Sequence, residues 1–335
     1  MALRALASSL AVSCLLACPQ APEAPPPRHE WAIAIHGGAG TIPRTMDPAQ
    51  VAAYEQALRG ALALGRDGLT AGKAAVDVVE EVARVLEDEP LFNAGKGAVF
   101  NHDGAHELDA SIMDGRTLAC GAVAGVTTAR HPISVARLVM DQTKHVLLVG
   151  EGADRFGREM GVEQVDNAWF DTDRRREQWR EALAKEAGAV DAGPAAGPDA
   201  GVKGTIGVVA LDRRGHLAAA TSTGGLTNKR WGRVGDSPVI GAGTYANDAT
   251  AAVSCTGTGE EFIRHGVARA VSARMELLHE DVEAASKGAL APLKAGDGGL
   301  IALDGRGRMA FVFSTDGMYR AAADASGRFE VAIWR

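Results

Sequence analysis

The alternation of hydrophobic and polar positions predicts a chain that mixes strands and helices from residue 31 onward. Residues 31–36 form an apolar run that favours a first strand, and a glycine turn at 37–40 follows it. Asp47 and Pro48 are typical of an N-cap and a first helical residue, and apolar residues spaced three or four apart come after them. We therefore predict a first helix there and a second helix over about 70–86.

Predicted strands and helices continue in irregular order along the rest of the chain. Two strands, 106–113 and 118–126, flank a turn at Asp114 and Gly115. The further predicted elements are a helix that Pro132 opens, a strand at 145–149, a helix that starts near Glu151 and Asp154, a charged helix at 173–186, strands at 205–211 and 216–222, glycine-rich loops after 222, a helix over 260–278, and strands at 299–303, 309–313 and 329–334. Hairpins mixed with helices argue against a simple βαβ winding.

The first thirty residues are predicted to precede the folded part. An apolar run over 10–17 follows Arg4 and is too short to span a membrane, so residues 1–18 are interpreted as a signal peptide. The run ends in Leu-Leu-Ala-Cys, which resembles the lipobox of bacterial lipoproteins, so a lipid anchor through Cys18 and export without an anchor both stay open. Residues 19–30, rich in proline and alanine, predict an extended tether. The protein is thus expected to be exported, periplasmic or lipid-anchored to a bacterial membrane, with a cytoplasmic location as the alternative.

The composition mainly excludes some classes of function. The 335 residues are 46% hydrophobic and carry a net charge of -7, with acidic and basic residues interspersed. This balance is typical of a globular protein and lacks the basic face that nucleic-acid binding requires, so no nucleic-acid partner is expected. Cys120 and Cys255 lie among small apolar residues and are predicted to be buried free thiols rather than a disulfide. The sequence contains no CxxC or HExxH motif, which argues against a transition-metal site.

Candidate chemistry begins where a low-complexity segment ends. Residues 187–204 are dominated by alanine, glycine and proline and predict a mobile linker. The linker ends at Gly204, directly before Thr205. A threonine at the start of a strand is by itself more often structural. However, two clusters of glycine and hydroxyl residues follow, at 221–225 and 255–259, and such clusters let a backbone approach a ligand closely and offer hydrogen-bond donors.

Six motifs, in this order, resemble a known enzyme family. They are HGGAG at 36–40, LFNAG at 91–95, GTIG at 204–207, TSTGG at 221–225, GRVGDSP at 232–238 and TGTG at 256–259. The set is similar to the plant-type (type III) L-asparaginase and isoaspartyl peptidase family of N-terminal-nucleophile hydrolases, and the likeness runs from Trp31 almost to Arg335. The resemblance implies a small-molecule hydrolase that acts on L-asparagine and β-aspartyl (isoaspartyl) dipeptides and releases L-aspartate.

The resemblance also implies the fold and its processing. A precursor would cleave its own bond between Gly204 and Thr205. Residues 31–204, with the linker at their end, would form an α subunit and residues 205–335 a β subunit. Together they would fold as an α+β protein with a four-layer αββα sandwich. Family members usually pair two αβ units, so an (αβ)2 heterotetramer is expected.

The catalytic residues follow from the same resemblance. Thr205 would become an N-terminal threonine whose hydroxyl is the nucleophile and whose α-amine, with an unperturbed pKa of about 7.7–8.0, is the general base. Thr223 is expected beside the nucleophile. The Thr256 hydroxyl and the Gly257 N–H are expected to stabilise the tetrahedral oxyanion. This chemistry requires no cofactor.

The charged end of the substrate is expected to meet side chains of opposite charge. Arg233 can hold the α-carboxylate in a bidentate pair, and Asp236 can accept the α-ammonium, with the Gly259 carbonyl as a further acceptor. Asn93 is expected at the site as a substrate-binding residue. His36 is interpreted as a structural residue of the glycine turn, which would shape the site near the scissile bond.

Residues 86–96 resemble the sodium-binding loop of the family. There, backbone carbonyls bind a monovalent cation and fix the loop that carries Asn93. The implied carbonyl ligands are those of Leu86, Glu87, Glu89, Phe92, Ala94 and Lys96. Because backbone carbonyls supply the ligands, the side chains at these positions do not exclude the ion. Sodium is a structural hypothesis at this point.

Two other functions remain open. A glycosylasparaginase shares the fold, the nucleophile and the arginine and aspartate that hold the charged end of the substrate. These two residues, here Arg233 and Asp236, are called the clamp below. A glycosylasparaginase, however, releases a sugar from asparagine. The other alternative, from a different class, is an inactive exported protein that binds aspartate or asparagine without turnover. Such a binding protein would have no need for Thr205 as an N-terminal nucleophile or for Thr223 and Thr256 around it.

Overall fold

The computed structural model describes residues 29–188 and 202–335, which form a mixed α/β protein with two β-sheets. The predicted signal peptide with Cys18, the tether up to residue 28 and the linker from 189 to 201 lie outside the described residues. The strands are β1 (Ala32–Gly40), β2 (Leu108–Asp114), β3 (Cys120–Val126), β4 (Leu147–Val149), β5 (Val202–Lys203), β6 (Ile206–Leu211), β7 (Leu217–Thr223), β8 (Thr244–Ala246), β9 (Ala251–Gly257), β10 (Gly298–Asp304), β11 (Met309–Phe313), β12 (Gly317–Asp324) and β13 (Phe329–Trp334).

The helices lie between these strands in the chain. They are α1 (Pro48–Thr70), α2 (Ala75–Asp88), α3 (Pro132–Gln142), α4 (Gly150–Glu159), α5 (Asp173–Glu186), α6 (Gly259–His265), α7 (Val267–Leu278) and α8 (Val282–Leu290), with short 3-10 helices at Gly95–Gly97 and Asn167–Phe170. Helix α1 starts as predicted, because the Asp47 side chain accepts a hydrogen bond from the Ala49 N–H at 3.0 Å and Pro48 occupies the first turn. Among the described residues, no helix has both the length and the apolar character needed to cross a membrane.

The larger sheet has the strand order β13-β12-β1-β6-β7-β2-β3-β4, and β5 also pairs with β1. Neighbouring strands are antiparallel except β3 and β4, which run parallel. The smaller sheet has the antiparallel order β11-β10-β9-β8. In the larger sheet, Ala34 of β1 pairs with Val209 of β6 on one side and with Ala322 of β12 on the other.

Three buried clusters divide the core. In β1, Ile33 and Ile35 belong to a cluster that includes the buried residues of α1, α2 and α3, whereas Ala32 and Ala34 belong to a second cluster. The second cluster joins residues of the larger sheet to Ile301 and other residues of the smaller sheet. The third cluster joins the smaller sheet to α6, α7 and α8. Successive strand residues point to opposite faces, so β1 is buried on both sides, which explains its uninterrupted apolar sequence.

Several elements differ from their predicted form. The glycine turn predicted at 37–40 is wrong: β1 continues through Gly40, with an irregular register between His36 and Ala39. The single helix predicted over 260–278 is two helices, because Gly266 adopts a left-handed conformation with φ of 55° that ends α6. The glycine-rich loops predicted after 222 contain the strands β8 and β9.

Other elements agree with the prediction or were missed. The bounds of α5, β11 and β13 are those predicted. Cys120 and Cys255 are free thiols as predicted, but only Cys255 is fully buried, and Cys120 is partly exposed. Strand β12 was not predicted, since its Ala-rich sequence lacks the alternation of apolar and polar residues that marks a half-buried strand. It lies between β1 and β13, where both faces are covered. Helix α8 was not predicted either.

Candidate active site

The candidate site lies where β6 begins and β7 ends. These strands are antiparallel neighbours, and Ile206 pairs with Ser222, so the residues just beyond this pair, Thr205 and Thr223, are brought side by side. The Thr205 hydroxyl donates a hydrogen bond to the Thr223 hydroxyl at 3.2 Å. The Thr223 hydroxyl donates in turn to the carbonyl oxygen of Gly204 at 3.3 Å and accepts from the Gly225 N–H at 3.1 Å. Both threonines are buried.

The carbonyl that Thr223 contacts belongs to the bond predicted to be cleaved. Asn93 lies against the same bond, because a Cβ added to Gly204 would come within 2.6 Å of the Asn93 Cβ. The Asn93 side chain donates to the Gly225 carbonyl at 2.8 Å and accepts from the Val99 N–H at 3.0 Å. Asn93 therefore joins its own loop to the end of β7, and a side chain at position 204 would be excluded by this contact.

His36 holds the main chain of Thr205. Its Nδ1 lies 3.0 Å from the Thr205 carbonyl oxygen and its Nε2 lies 3.0 Å from the Ser254 hydroxyl. Burial lowers the pKa of His36 to about 3, so the ring is neutral. Since a carbonyl can only accept, Nδ1 carries the proton, and Nε2 accepts from Ser254. The sequence reasoning placed His36 near the scissile bond but missed Ser254, which no motif marked.

A row of buried hydroxyls continues from Ser254 between the two sheets. The Ser254 and Thr221 hydroxyl oxygens are 2.7 Å apart, those of Thr221 and Thr244 are 2.5 Å apart, and those of Thr244 and Ser111 are 2.8 Å apart. Ser111 also donates to the carbonyl of Ser237, at 2.5 Å. The row therefore connects the main chain of the predicted nucleophile to the main chain beside Asp236.

The residues predicted to stabilise the oxyanion lie at the end of β9. Thr256 accepts a hydrogen bond from the Ala39 N–H at 3.4 Å, which places Thr256 beside the C-terminal end of β1. Ser254, two residues earlier on the same strand, contacts His36 of β1. A side chain at Gly257 is excluded, because an added Cβ would meet the Asp297 carbonyl at 2.2 Å. Strand β9 thus brings the Thr-Gly-Thr-Gly motif to β1, which also holds Thr205 in place.

The predicted clamp residues come together around Gly259. A Cβ added to Gly259 would lie 2.8 Å from the Arg233 Nη2 and 2.9 Å from the Asp236 Oδ1, so both side chains approach the same glycine. Asp236 is buried, and within the described residues its Oδ2 has no hydrogen-bond partner. Burial raises the pKa of Asp236 to about 7, although the nearby Arg233 opposes the shift. A ligand cation would supply the partner that this carboxylate lacks.

Glu260 is a residue of the site that the sequence reasoning missed. Its carboxylate accepts from the Arg233 Nε at 2.9 Å and from the Arg233 Nη2 at 2.8 Å. This hydrogen-bonded ion pair holds the pKa of Glu260 below its usual value. Its position directly after the Thr-Gly-Thr-Gly motif could have drawn attention to it, but a glutamate in the first turn of a helix has an ordinary structural explanation.

The predicted sodium loop, residues 86–96, starts in the last turn of α2 and wraps closely on itself. An added Cβ would meet the Glu87 carbonyl oxygen at 2.2 Å from Gly95 and the Phe92 carbonyl oxygen at 2.1 Å from Gly97. The two glycines therefore let backbone carbonyls of this loop approach the main chain closely, because no side chain occupies the space beside them. The Glu87 side chain points elsewhere: it accepts from the Ser222 hydroxyl at 2.6 Å, and burial raises its pKa to about 8.

Comparison with known proteins identifies the family. Residues 29–333 match the asparaginase family. The isoaspartyl peptidase of Escherichia coli K12 is 50% identical over 308 residues, which cover 90% of this chain and 96% of that protein. The probable isoaspartyl peptidase/L-asparaginase 2 of Arabidopsis thaliana is 45% identical, with 91% and 99% covered. The plant-type L-asparaginase of Pyrococcus abyssi is 43% identical, with 86% and 94% covered. The chain belongs to the asparaginase family, which confirms the resemblance predicted from its motifs.

Proposed function

We propose that this protein hydrolyses β-aspartyl dipeptides and the side-chain amide of L-asparagine, with Thr205 as the nucleophile after cleavage of its own chain. The relatives named as isoaspartyl peptidases and L-asparaginases support the substrate class. One observation carries the mechanism: the hydroxyl of Thr205 donates to Thr223, whose own hydroxyl donates to the Gly204 carbonyl. Nucleophile and scissile carbonyl are therefore joined through a single side chain.

In the precursor, the Thr205 hydroxyl adds to the carbonyl carbon of Gly204. The C–N bond between Gly204 and Thr205 then breaks as the nitrogen takes up a proton, which leaves an ester between the Gly204 carboxyl and the Thr205 oxygen. Water hydrolyses the ester, and a carboxylate on Gly204 and a free amine on Thr205 result. Thr223 supports this step, because it can accept the hydroxyl proton of Thr205 in a hydrogen bond while polarising the carbonyl under attack.

The freed amine then makes Thr205 a self-contained nucleophile and base. The amine takes the hydroxyl proton, the oxygen attacks the side-chain carbonyl of the substrate, and the tetrahedral oxyanion is stabilised by the Thr256 hydroxyl and the Gly257 N–H. Collapse releases ammonia or an amino acid and leaves a β-aspartyl ester on Thr205. Water hydrolyses this ester to give L-aspartate. The hydrogen bond from His36 to the Thr205 carbonyl keeps the residue oriented through these steps.

Substrate selection is assigned to the clamp around Gly259. Arg233 binds the α-carboxylate, Asp236 and the Gly259 carbonyl bind the α-ammonium, and Asn93 completes the site. The convergence of Arg233 and Asp236 on Gly259 supports this assignment, and so does the buried carboxylate oxygen of Asp236 that lacks a partner in the described residues. An L-aspartyl group carries both of the charges that Arg233 and Asp236 would bind.

We further propose the four-layer αββα arrangement, with an α subunit that ends at Gly204 and a β subunit that starts at Thr205. The division of the core into three clusters, one of them shared by both sheets, supports the layers. Two αβ units would associate into an (αβ)2 heterotetramer. Size-exclusion chromatography with light scattering on the cleaved protein tests this association, and a mass of one αβ unit would contradict it.

Sodium is proposed as a structural ion of residues 86–96, held by the carbonyls named above. When bound, it would supply only positive charge that fixes the loop carrying Asn93. The close approach of carbonyls that Gly95 and Gly97 permit supports this site. The melting temperature should be higher in sodium chloride than in choline chloride of equal ionic strength. An equal melting temperature in both salts would remove the ion from the proposal.

Export remains a proposal that rests on the sequence alone, with residues 1–18 as the signal peptide and Cys18 as the lipidated residue. Cell fractionation together with metabolic labelling by a radioactive fatty acid tests it. Label on the wild-type protein that is lost in the Cys18→Ser variant is the expected result. Unlabelled protein in the periplasm would support export but contradict the lipid anchor. Full-length protein in the cytoplasm would contradict both export and the anchor.

The central test is intact-mass analysis and N-terminal sequencing of the purified protein beside Thr205→Ala and Thr205→Ser variants. Wild type should yield two fragments, one beginning at Thr205, and Thr205→Ala should remain one chain. Thr205→Ser keeps a hydroxyl and should still cleave. Release of aspartate from L-asparagine and from a β-aspartyl dipeptide should accompany cleavage. Faster release from glycosylated asparagine would favour the glycosylasparaginase alternative, and an uncleaved wild type that binds aspartate would favour the binding-protein alternative.

A further inference from the structure

The ion pair with Glu260 occupies one edge of the Arg233 guanidinium. Glu260 takes the edge formed by Nε and Nη2, with both distances below 3 Å. A guanidinium has a second edge, formed by its two terminal nitrogens, which can hold another carboxylate in the same two-bond geometry. The Glu260 contact therefore leaves Arg233 able to bind a substrate carboxylate.

The two terminal nitrogens of Arg233 lie beside glycines of the site. A Cβ added to Gly235 would lie 2.8 Å from the Arg233 Nη1, and one added to Gly259 would lie 2.8 Å from Nη2. The same Cβ on Gly259 would lie 2.9 Å from the Asp236 Oδ1. The terminal nitrogens of Arg233 are thus flanked by two glycines, which place no side chain against them, and the Asp236 carboxylate lies close to the same Gly259.

Burial distinguishes the two carboxylates around Arg233. The Glu260 side chain is 41% exposed and that of Arg233 is 19% exposed, whereas Asp236 is almost fully buried. Glu260 therefore contacts Arg233 from the solvent side and Asp236 lies on the interior side. Glu260 is also fixed by its backbone in the first turn of α6, where the next residue donates its N–H to the Thr258 carbonyl at 2.9 Å.

We propose that Glu260 is a positioning residue for substrate binding: by holding the Nε edge of Arg233, it directs the terminal nitrogens toward the α-carboxylate of the substrate. This inference rests on the proposed clamp function of Arg233. A long arginine side chain loses rotamer freedom when it is held in one orientation. Glu260 holds Arg233 in the substrate-free protein, so substrate binding does not have to order this side chain. The substrate then binds to a guanidinium that is already oriented.

The opposite role for Glu260 predicts the opposite result. If Glu260 were a competitor that occupies Arg233 in place of the substrate, removal of its charge would tighten binding of the carboxylate. In the positioning role, the same removal weakens binding although the site becomes more positive. The sign of the change in KM therefore distinguishes the two roles.

The test compares Glu260→Gln with wild type and with Glu261→Gln as a matched control. Glu261 is the next residue of α6 and pairs with Arg264 rather than with Arg233. With L-asparagine, Glu260→Gln should raise KM roughly tenfold and change kcat less than threefold, since the reacting atoms are untouched. Glu261→Gln should match wild type. All three proteins should cleave into two fragments, which shows that the nucleophile is formed.

A substrate without the α-carboxylate separates positioning from general damage. With 3-aminopropanamide, which keeps the amide and the ammonium, wild type should be slow, and Glu260→Gln should reduce kcat/KM no further. Glu260→Asp keeps the charge and should give a KM between those of wild type and Glu260→Gln; it also serves if Glu260→Gln does not fold. An unchanged or lowered KM in Glu260→Gln overturns the inference, and so does an equal loss with both substrates. Lack of cleavage and activity in wild type would instead overturn the proposed function.

Discussion

The imidazole Nδ1 of His36 donates a hydrogen bond to the carbonyl oxygen of Thr205 at 3.0 Å. The two residues lie 169 positions apart in the chain, and antiparallel pairing of β1 with β6 brings them together. Because the bond uses the main chain of Thr205, the side-chain hydroxyl remains available to Thr223. The nucleophile is thus held by its backbone and can react through its side chain.

The first prediction concerns the support of His36 by Ser254. In Ser254→Ala, the buried Nε2 of His36 loses its donor, which should cost about 1–3 kcal/mol of unfolding free energy and loosen the orientation of Thr205. The rate of chain cleavage, followed by mass spectrometry, should fall. The control is Ser272→Ala, because Ser272 is equally buried and bonds Thr250 within another part of the core. A cleavage rate lowered equally in both variants would mean that only stability is affected.

The second prediction concerns Thr223. Thr223→Val keeps the shape of the side chain but removes the hydroxyl that joins Thr205 to the Gly204 carbonyl, so cleavage should slow by roughly 10²–10³-fold. Thr223→Ser restores a hydroxyl and should recover most of the rate. The fraction of cleaved chain against time measures both. Cleavage of Thr223→Val at the wild-type rate would show that the Thr223 hydroxyl neither accepts the Thr205 hydrogen bond nor polarises the Gly204 carbonyl in the cleavage step.

The third prediction links stability to pH through Asp236. Its pKa rises from 3.8 to about 7 on folding, because of burial, so the folded state holds this proton more tightly than the unfolded chain. The contribution of Asp236 to unfolding free energy therefore falls as pH rises from about 4 to 7 and stays low above 7. Asp236→Asn removes this titration. The unfolding free energy of this variant relative to wild type should be roughly 2.7 kcal/mol more favourable at pH 8 than at pH 5.

Denaturant unfolding of the ligand-free protein at the two pH values measures this difference. Aspartate should stabilise wild type at pH 8 but not Asp236→Asn, since the variant lacks the carboxylate that would meet the ligand ammonium. A stability gap that is the same at both pH values would show that Asp236 keeps an ordinary pKa in the folded protein.

The fourth prediction concerns close packing beside the nucleophile. A Cβ on Gly207 would lie 2.0 Å from the Ser254 hydroxyl and 2.2 Å from the His36 Nε2, so Gly207→Ala must displace this pair and should destabilise the protein by about 1–3 kcal/mol. Gly60→Ala is the matched control, because Gly60 lies within α1 and an added Cβ there meets nothing within 4 Å.

The control should change stability in the opposite direction. Alanine has the higher helix propensity, so Gly60→Ala should stabilise the protein by about 0.5–1 kcal/mol. Melting temperatures of the two variants measure both effects. A Gly207→Ala variant as stable as wild type would show that the contact between His36 and Ser254 can shift without cost.

Local patterns in the sequence determined much of the secondary structure and the identity of the central residues. Helix α5 has a charged, helix-favouring sequence bounded by a capping threonine and a glycine-rich segment, so its bounds could be read directly. Gly204 and Thr205 stood out because a low-complexity segment ends there. The motif order pointed to the family, which the comparison with relatives confirmed. These signals are carried by neighbouring residues, whose backbone preferences do not depend on the rest of the fold.

Only the tertiary structure decided how the site is held. His36, Thr205 and Ser254 come from β1, the start of β6 and β9, with up to 218 positions between contacting residues. Glu260 reaches Arg233 across 27 positions. Strand β12 escaped prediction because burial on both faces, supplied by its neighbours, replaces the alternation that a half-buried strand shows. Such contacts depend on strand register and on the packing of the two sheets, and no short stretch of sequence records them.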